Sequence, residues 1–296
     1  MSTLKKTVKR QLEYLKPAST ENQKILIENC KPFSFRIWGQ DFPIDKKITG
    51  LRFLHVGKCG GTSIMKAFLE KGILLEEYHM KKPPVHSETQ YFIWIRNPFS
   101  RYVSAFNHSK AIVEFDTSNI DHNELTLNNT PAPMKIANKM KYGFAISPGY
   151  DFLVDQFESA NALAESLSSS NKKLRRNAYS LMQSPKEHIF KGIGWYCDNG
   201  RWLEANRQRT FLAGTLENIN ESFEKLLGNV SGCENYNLTL ERARKGDRSL
   251  PKYLSSVAEK NLFKFYKNSD YKALEKMKIQ NLITEKLYED YHVYSK

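Results

Sequence analysis

The 296-residue sequence predicts an α/β fold, a central parallel sheet with flanking helices. Three apolar, β-prone runs carry that expectation: LRFLHV (Leu51 to Val56), YFIWIR (Tyr91 to Arg96) and RTFLAGTLE (Arg209 to Glu217). Each is nearly continuous in its apolar part instead of alternating, the pattern of strands covered on both faces. Each is followed by a helix-compatible segment, as βα units require.

In chain order, residues 1–48 read as an N-terminal extension. The first run leads into a helix that starts near Thr62 and places Ile64, Met65, Phe68 and Leu69 on one stripe, with Gly72 as its stop. The second run leads into NPFSRYVSAFNHSKAIVEF, where Asn97 suits the N-cap and Pro98 the first helical position. Residues 49–115 form the expected core. From 116 to 200, polar stretches such as DTSNIDHNELTLNNTPAP interrupt short helical patterns, which predicts a helical insertion instead of core sheet. Residues 201–296 supply the third strand and C-terminal helices, with Leu262, Phe265, Tyr266, Leu274 and Met277 at helical spacing and a break expected at Asn268 to Asp270. No internal repeat or Pro/Gly/Ser-rich linker divides the chain, so one domain is expected.

Lys and Arg number 45 against 32 acidic residues, a formal charge of +13, which favours an anionic partner. The four cysteines, Cys30, Cys59, Cys197 and Cys233, show no CxxC or CxxH spacing, so free thiols are expected and neither a zinc site nor a disulfide framework. The first residues are basic but contain no apolar signal segment, and no stretch approaches the roughly 18 apolar residues of a membrane span. The expectation is a soluble cytoplasmic enzyme without a transmembrane segment.

The stretch FLHVGKCGGTSI, Phe53 to Ile64, turns a strand through two glycines into a helix. Such a turn aims backbone N–H groups at an anion, and glycines let a phosphate come close. Lys58 adds a full charge, and Thr62 and Ser63 add hydroxyl donors. A Walker A loop has its lysine after the glycines; here Lys58 precedes Gly60 and Gly61, which disfavours an ATPase. The second run ends in Arg96, at the carboxyl end of a parallel strand, where ligands of open α/β sheets bind. Arg96 can fork onto a phosphate and Ser104 can add a hydroxyl. Two anion-binding strand ends imply a ligand with two separate phosphate groups.

These residues resemble the sulfotransferases that use 3′-phosphoadenosine 5′-phosphosulfate (PAPS), in particular the carbohydrate branch called sulfotransferase family 2. The family signature HxPKTGGTS is similar to His55–Val56–Gly57–Lys58–Cys59–Gly60–Gly61–Thr62–Ser63. Its second signature, RDPxxRxxSxY/F, is similar to Arg96, Asn97, Pro98, Arg101, Ser104 and Phe106. Gly57, Cys59 and Asn97 depart from the common Pro, Thr and Asp. Weaker similarity covers FLAGTLENINESFEKLLG and NLFKFYKNSDYKAL, so the resemblance runs from about residue 50 to 275.

The resemblance implies a P-loop-like sulfotransferase/nucleotide-kinase fold, with PAPS as donor, PAP as product and no metal. The loop of Lys58, Gly60, Gly61, Thr62 and Ser63 would take the 5′-phosphosulfate, and Arg96 with Ser104 the 3′-phosphate. Arg244, Lys245 and Gly246, within RARKGDRS, resemble a further 3′-phosphate motif; the alternative is a solvated charged loop. The implied reaction is in-line sulfuryl transfer to a hydroxyl of a carbohydrate or glycoconjugate, in which positioning and charge stabilisation dominate.

Lys58 would neutralise charge on the leaving phosphate, and a histidine would take the acceptor proton. His79 is the preferred base, because it follows the first helix and precedes a KKPP turn; His86, Glu76 and Glu77 are the alternatives. His55 sits inside the first strand and is expected to be packed, and His108 and His188 either line the acceptor pocket or serve the structure. The segment GIGWYCDNGRW suits sugar stacking or core packing. The basic run Lys172, Lys173, Arg175 and Arg176 reads as an exposed helix face or an acceptor contact. Two other function classes stay open: a P-loop-like kinase, which needs a magnesium carboxylate and a nucleoside triphosphate, and a non-catalytic basic module for nucleic acid or anionic glycan. The expected partner is the carbohydrate acceptor and not nucleic acid.

Overall fold

The computed structural model describes residues 24–85, 88–118, 120, 125, 130, 132–241 and 250–292. The strands among them are β1 (Leu26–Ile37), β2 (Gln40–Thr49), β3 (Leu51–His55), β4 (Ile73–Leu74), β5 (Glu77–His79), β6 (Gln90–Ile95) and β7 (Thr210–Thr215). The three sequence-predicted runs are β3, β6 and β7. They lie side by side in a parallel sheet of order β5–β3–β6–β7. Tyr91 through Ile95 are fully buried, so both faces of β6 are covered. Each such side chain contributes about 1.5–3 kcal/mol through burial, which is why an unbroken apolar run is tolerated in a strand covered on both faces.

The helices in chain order are α1 (Gly61–Leu69), α2 (Pro98–Val113), α3 (Pro133–Tyr142), α4 (Pro148–Asp155), α5 (Ala160–Ser166), α6 (Lys172–Met182), α7 (Ile193–Tyr196), α8 (Arg201–Ala205), α9 (Ile219–Leu227), α10 (Ser256–Tyr266), α11 (Lys272–Ile279) and α12 (Glu285–Tyr291). The stripe expected on α1 is buried as Ile64, Met65, Phe68 and Leu69. That helix ends at Glu70, and the chain then turns through Gly72 at φ +70°. Asn97 caps α2 as its sequence suggests, accepting from the N–H groups of Phe99 at 3.0 Å and Ser100 at 3.1 Å, with Pro98 in the first turn. Helices α3 to α7 fill the stretch read as an insertion. Among the described residues no helix is long and apolar enough to cross a membrane. All four cysteines are free thiols.

Two expectations are corrected. Within the stretch read as an N-terminal extension, to which no secondary structure was assigned, residues 26–49 form an antiparallel hairpin, β1–β2, which β4 extends into a second, three-stranded sheet. Its turn is the pair Trp38–Gly39, both at positive φ (+56° and +76°), closing the Ile37–Gln40 pair; this is the two-residue geometry whose twist matches the flanking strands. Phe42, Ile44 and Ile48 alternate inward along β2. The break expected at Asn268 to Asp270 is instead a π-helical turn, Lys267–Tyr271, that joins α10 to α11. It draws Asp270 into the interior, where its Oδ1 accepts the Gly194 N–H at 2.9 Å and Oδ2 lies 3.7 Å from Nε of the fully buried Arg101.

Candidate functional site

Strand register brings the sequence-predicted residues to one edge of the parallel sheet. His55 pairs with His79 on one side and with Trp94 on the other, and Trp94 pairs with Gly214. The residues just beyond these positions, Val56 to Gly60 after β3 and Arg96 after β6, therefore emerge at the same carboxyl edge.

The turn after β3 is built on two left-handed residues, Lys58 at φ +70° and Gly60 at φ +91°. A non-glycine residue in this region is uncommon and costs of order 1 kcal/mol, so the fold holds Lys58 there against local preference. Helix α1 begins at once after Gly60 with no side-chain cap, and the Ser63 N–H reaches the Gly60 carbonyl at 3.0 Å. Gly61 lies directly on the His55 ring: a β-carbon there would come within 2.2 Å of the ring. Thr62 and Ser63 occupy the first turn, both half-buried. Cys59 points into the core, and burial pushes its thiol up to about 12, so it is no nucleophile.

Arg96 is half-buried beside this turn, its Nη1 3.5 Å from the Lys58 carbonyl. Glu217, after β7, accepts the Asn97 N–H at 3.2 Å through Oε1 and the Tyr291 hydroxyl at 2.5 Å through Oε2. The start of α2, the end of β7 and α12 are thereby tied together around Arg96. Ser104 is half-buried on α2, one turn beyond Arg101 and one turn before His108.

Four imidazoles form a row across the site. The rings of His55 and His79 stack at 4.1 Å between centroids, His79 and His188 lie 5.2 Å apart, and His188 and His108 lie 6.0 Å apart. His55 is packed as expected, 5% exposed, and its Nδ1 bonds Glu77 Oε2 at 2.5 Å. His79 Nδ1 donates to the His55 carbonyl at 3.2 Å, which assigns the tautomer that leaves a lone pair on Nε2. Burial, and next the charge of His55, hold His79 down at about 3, partly offset by Glu77. Burial would raise Glu77, but the charge and hydrogen bond of His55 outweigh it and leave the carboxyl below its ordinary value. His188 lies well below its ordinary value through burial, with His79 and Lys58 adding to the effect. Around neutrality His79 and His188 are thus uncharged.

The alternatives for the base separate clearly. Glu76 is paired with Arg52 at 2.8 Å, and Glu77 is committed to His55. His86, and with it Arg244, Lys245 and Gly246, lies outside the described residues. The basic run on α6 leaves Lys172, Lys173 and Arg176 exposed to solvent, while Arg175 donates to the Ser169 carbonyl at 2.6 Å.

Arg101 and His188 were singled out in the sequence but their contact was not, and Glu187 and Lys135 carried no sequence signal. Arg101 donates from Nη1 to the His188 carbonyl at 2.8 Å, and the His188 ring fills the space above Gly57. Glu187, 3% exposed, holds Lys135 of α3 at 2.5 Å. Nothing in the spacing of these residues announces their meeting, because the two partners of each contact lie far apart in the chain. Among the described residues no group of three or more His, Cys, Asp or Glu side chains is arranged to hold a metal ion. A separate concavity of about 700 Å³, lined by Pro32, Phe33, Pro43, Ile44 and Lys71, contains none of the sequence-predicted site residues. No family model, curated protein or solved structure matches the chain.

Proposed function

We propose that the chain moves a sulfuryl group from PAPS to a hydroxyl of a carbohydrate or glycoconjugate, on a P-loop-like sulfotransferase fold. The observation that carries this reading is the placement of His79. It ends β5 in register with His55, one strand from the Lys58 turn, with Nδ1 anchored and the Nε2 lone pair left to accept a proton.

In this reading the turn from Lys58 to Ser63 takes the 5′-phosphosulfate. Its uncapped helix start and left-handed residues suit an anion, which the partial charge of a helix N-terminus stabilises. Arg96 and Ser104 take the 3′-phosphate. The acceptor oxygen attacks sulfur in line, forming an O–S bond as the S–O bond to the 5′-phosphate breaks. The acceptor proton passes to Nε2 of His79 and PAP leaves. A neutral imidazole is the form that accepts a proton, and the lowered value of His79 keeps it neutral but weakly basic before the donor binds. Its basicity rises once anionic donor charge lies beside it. Lys58 offsets the charge that develops on the leaving phosphate oxygen, a contribution of roughly 3 kcal/mol for one such donor.

Calorimetric titration of PAP into the protein, beside magnesium ATP, tests the donor. Saturable binding of PAP, much tighter than ATP, supports the reading. Binding of ATP alone, or of neither, overturns it.

A further inference from the structure

Helices α6 and α10 turn one side to the core and leave a joint outer face that the candidate site does not use. Ala178, Leu181 and Met182 anchor α6, and Ala258, Leu262 and Tyr266 anchor α10. On the outside of α6, Lys172, Arg176, Tyr179 and Gln183 recur at helical spacing, all exposed. On α10, Val257, Lys260 and Lys264 do the same, and Lys267 continues the row at the start of the π-helical turn. The Tyr179 ring lies 6.4 Å from that of Phe265, the neighbour of Lys264, so the two rows adjoin along one seam. Both helices pack on α5, which holds the seam in place.

The face carries six exposed cations, Lys172, Lys173, Arg176, Lys260, Lys264 and Lys267. Helix α6, KKLRRNAYSLM, contains no carboxylate at all, and the one on α10, Glu259, is half-buried on the flank of the row away from Phe265. Among the described residues none of the six has a carboxylate within 4.0 Å. The cations of α6 also stand in its first two turns, with no acidic residue in the first. A helix N-terminus is itself partly positive, so these charges oppose the macrodipole. Neither ion pairing nor helix stability accounts for the arrangement, whereas an anionic surface laid on the face offsets both costs.

The exposed apolar side chains choose among anionic partners. Tyr179 is 41% exposed, Val257 51%, and Tyr253, just before α10, 67%. A soluble chain of phosphates or sulfates gains nothing from Val257. At a bilayer the cations meet acidic headgroups while tyrosine and valine enter the boundary with the acyl chains. The outside of two adjacent helices is also broad enough to lie on a plane, whereas single strands of nucleic acid are held in grooves. We infer that the outer face of α6 and α10 docks the protein on a membrane surface rich in acidic phospholipid. This docking is independent of the sulfotransferase reading. Each Lys or Arg at such a surface contributes about fivefold in affinity, and salt weakens the contribution.

The test is co-sedimentation of the full chain with vesicles of phosphatidylcholine alone and of phosphatidylcholine and phosphatidylserine in equal parts. The expected result is binding to the acidic vesicles at least about tenfold tighter than to the neutral ones, a preference lost in high salt. Lys260→Gln with Lys264→Gln should weaken it by about tenfold or more. Tyr179→Ser with Val257→Ser should weaken it without any change of charge. Lys31→Gln with Lys47→Gln removes two exposed cations from the β1–β2 hairpin instead, and should leave binding within about twofold. Equal or absent binding to the two kinds of vesicle overturns the inference. So does a loss in the hairpin variant as large as in the α10 variant, or unchanged binding in Tyr179→Ser with Val257→Ser. An oligonucleotide that binds through Lys260 and Lys264 while vesicles stay free makes the face a polyanion site and overturns the inference as well.

Discussion

Arg101 donates from Nη1 to the main-chain carbonyl of His188 at 2.8 Å, and through that bond α2 fixes the residue that roofs the turn after β3. The His188 ring lies so close to Gly57 that a β-carbon there would fall 2.1 Å from Nδ1 and 2.7 Å from Cε1. The two motifs that look separate in the sequence are thus one mechanical unit. Its members are a buried guanidinium, a carbonyl, a ring and a glycine.

Gly57→Ala is expected to destabilise the protein by about 1–3 kcal/mol, because the His188 ring is enclosed and has little room to move. His188→Ala in the same chain removes the clash, so the double variant should be more stable than additivity predicts. Chemical denaturation of the four proteins in the cycle measures the coupling. Strictly additive losses would show that ring and glycine do not meet.

Arg101 is fully buried, donates to two carbonyls and faces Asp270 at 3.7 Å, with the Tyr266 ring 5.9 Å from the guanidinium carbon. Arg101→Met strands a buried carboxylate and two carbonyls, and is expected to cost about 3–5 kcal/mol. Adding Asp270→Leu should recover part of that loss, since the remaining charge is then gone. Urea unfolding at neutral pH reads both effects, and a change below about 1 kcal/mol for Arg101→Met would remove the residue from the structural core.

Lys58 and Arg96 are expected to fail differently. Lys58→Ala should lower turnover by roughly a hundredfold, the loss of one donor to developing charge. Arg96→Ala should weaken PAP binding first, because its fork is assigned to the 3′-phosphate. Turnover and PAP affinity measured on both variants separate the roles. Near-wild-type values in both would overturn the site assignment.

His79 makes two pH predictions. Its value of about 3 lies far below the ordinary 6.5, through burial and its neighbour His55; Glu77, Lys135 and His188 are the other groups that act on it. The folded state therefore binds fewer protons than the unfolded chain between these values, and stability falls as the pH falls below about 6.5. For His79 the loss reaches up to about 2 kcal/mol at pH 5, and His79→Gln should flatten that part of the profile. Glu77 acts in a different window, since its lowered value leaves it ionised at pH 5 and its contribution is lost only in stronger acid. For activity, kcat/KM should show no acid limb from His79 above about pH 5, and His79→Ala should lower turnover by roughly 10²–10⁴.

The parts legible in the sequence were those with long apolar runs or local chemistry. β3, β6 and β7 match the predicted runs to within a residue or two, and Asn97 and Pro98 behave as their spacing implies. β5 was hidden because three residues carry no periodicity, and with it the His55–Glu77 bond. The β1–β2 hairpin was missed because its turn uses Trp38, a poor match to the usual Asn or Asp before glycine. Contacts of Arg101 with His188 and of Lys135 with Glu187 join distant elements, so no window of sequence contains them.

The parallel pairing of β6 with β7 also governs how the protein acquires its site. β6 ends at Ile95 and β7 begins at Thr210, with the helices from α2 to α8 between them. Until that long stretch closes, β6 is an open edge and the Asn97–Glu217 bond beside Arg96 does not exist. Loop closure of this length makes such pairings late events in refolding. The PAP binding proposed above should therefore return after most helical signal has recovered, a lag that stopped-flow refolding in the presence of PAP can time.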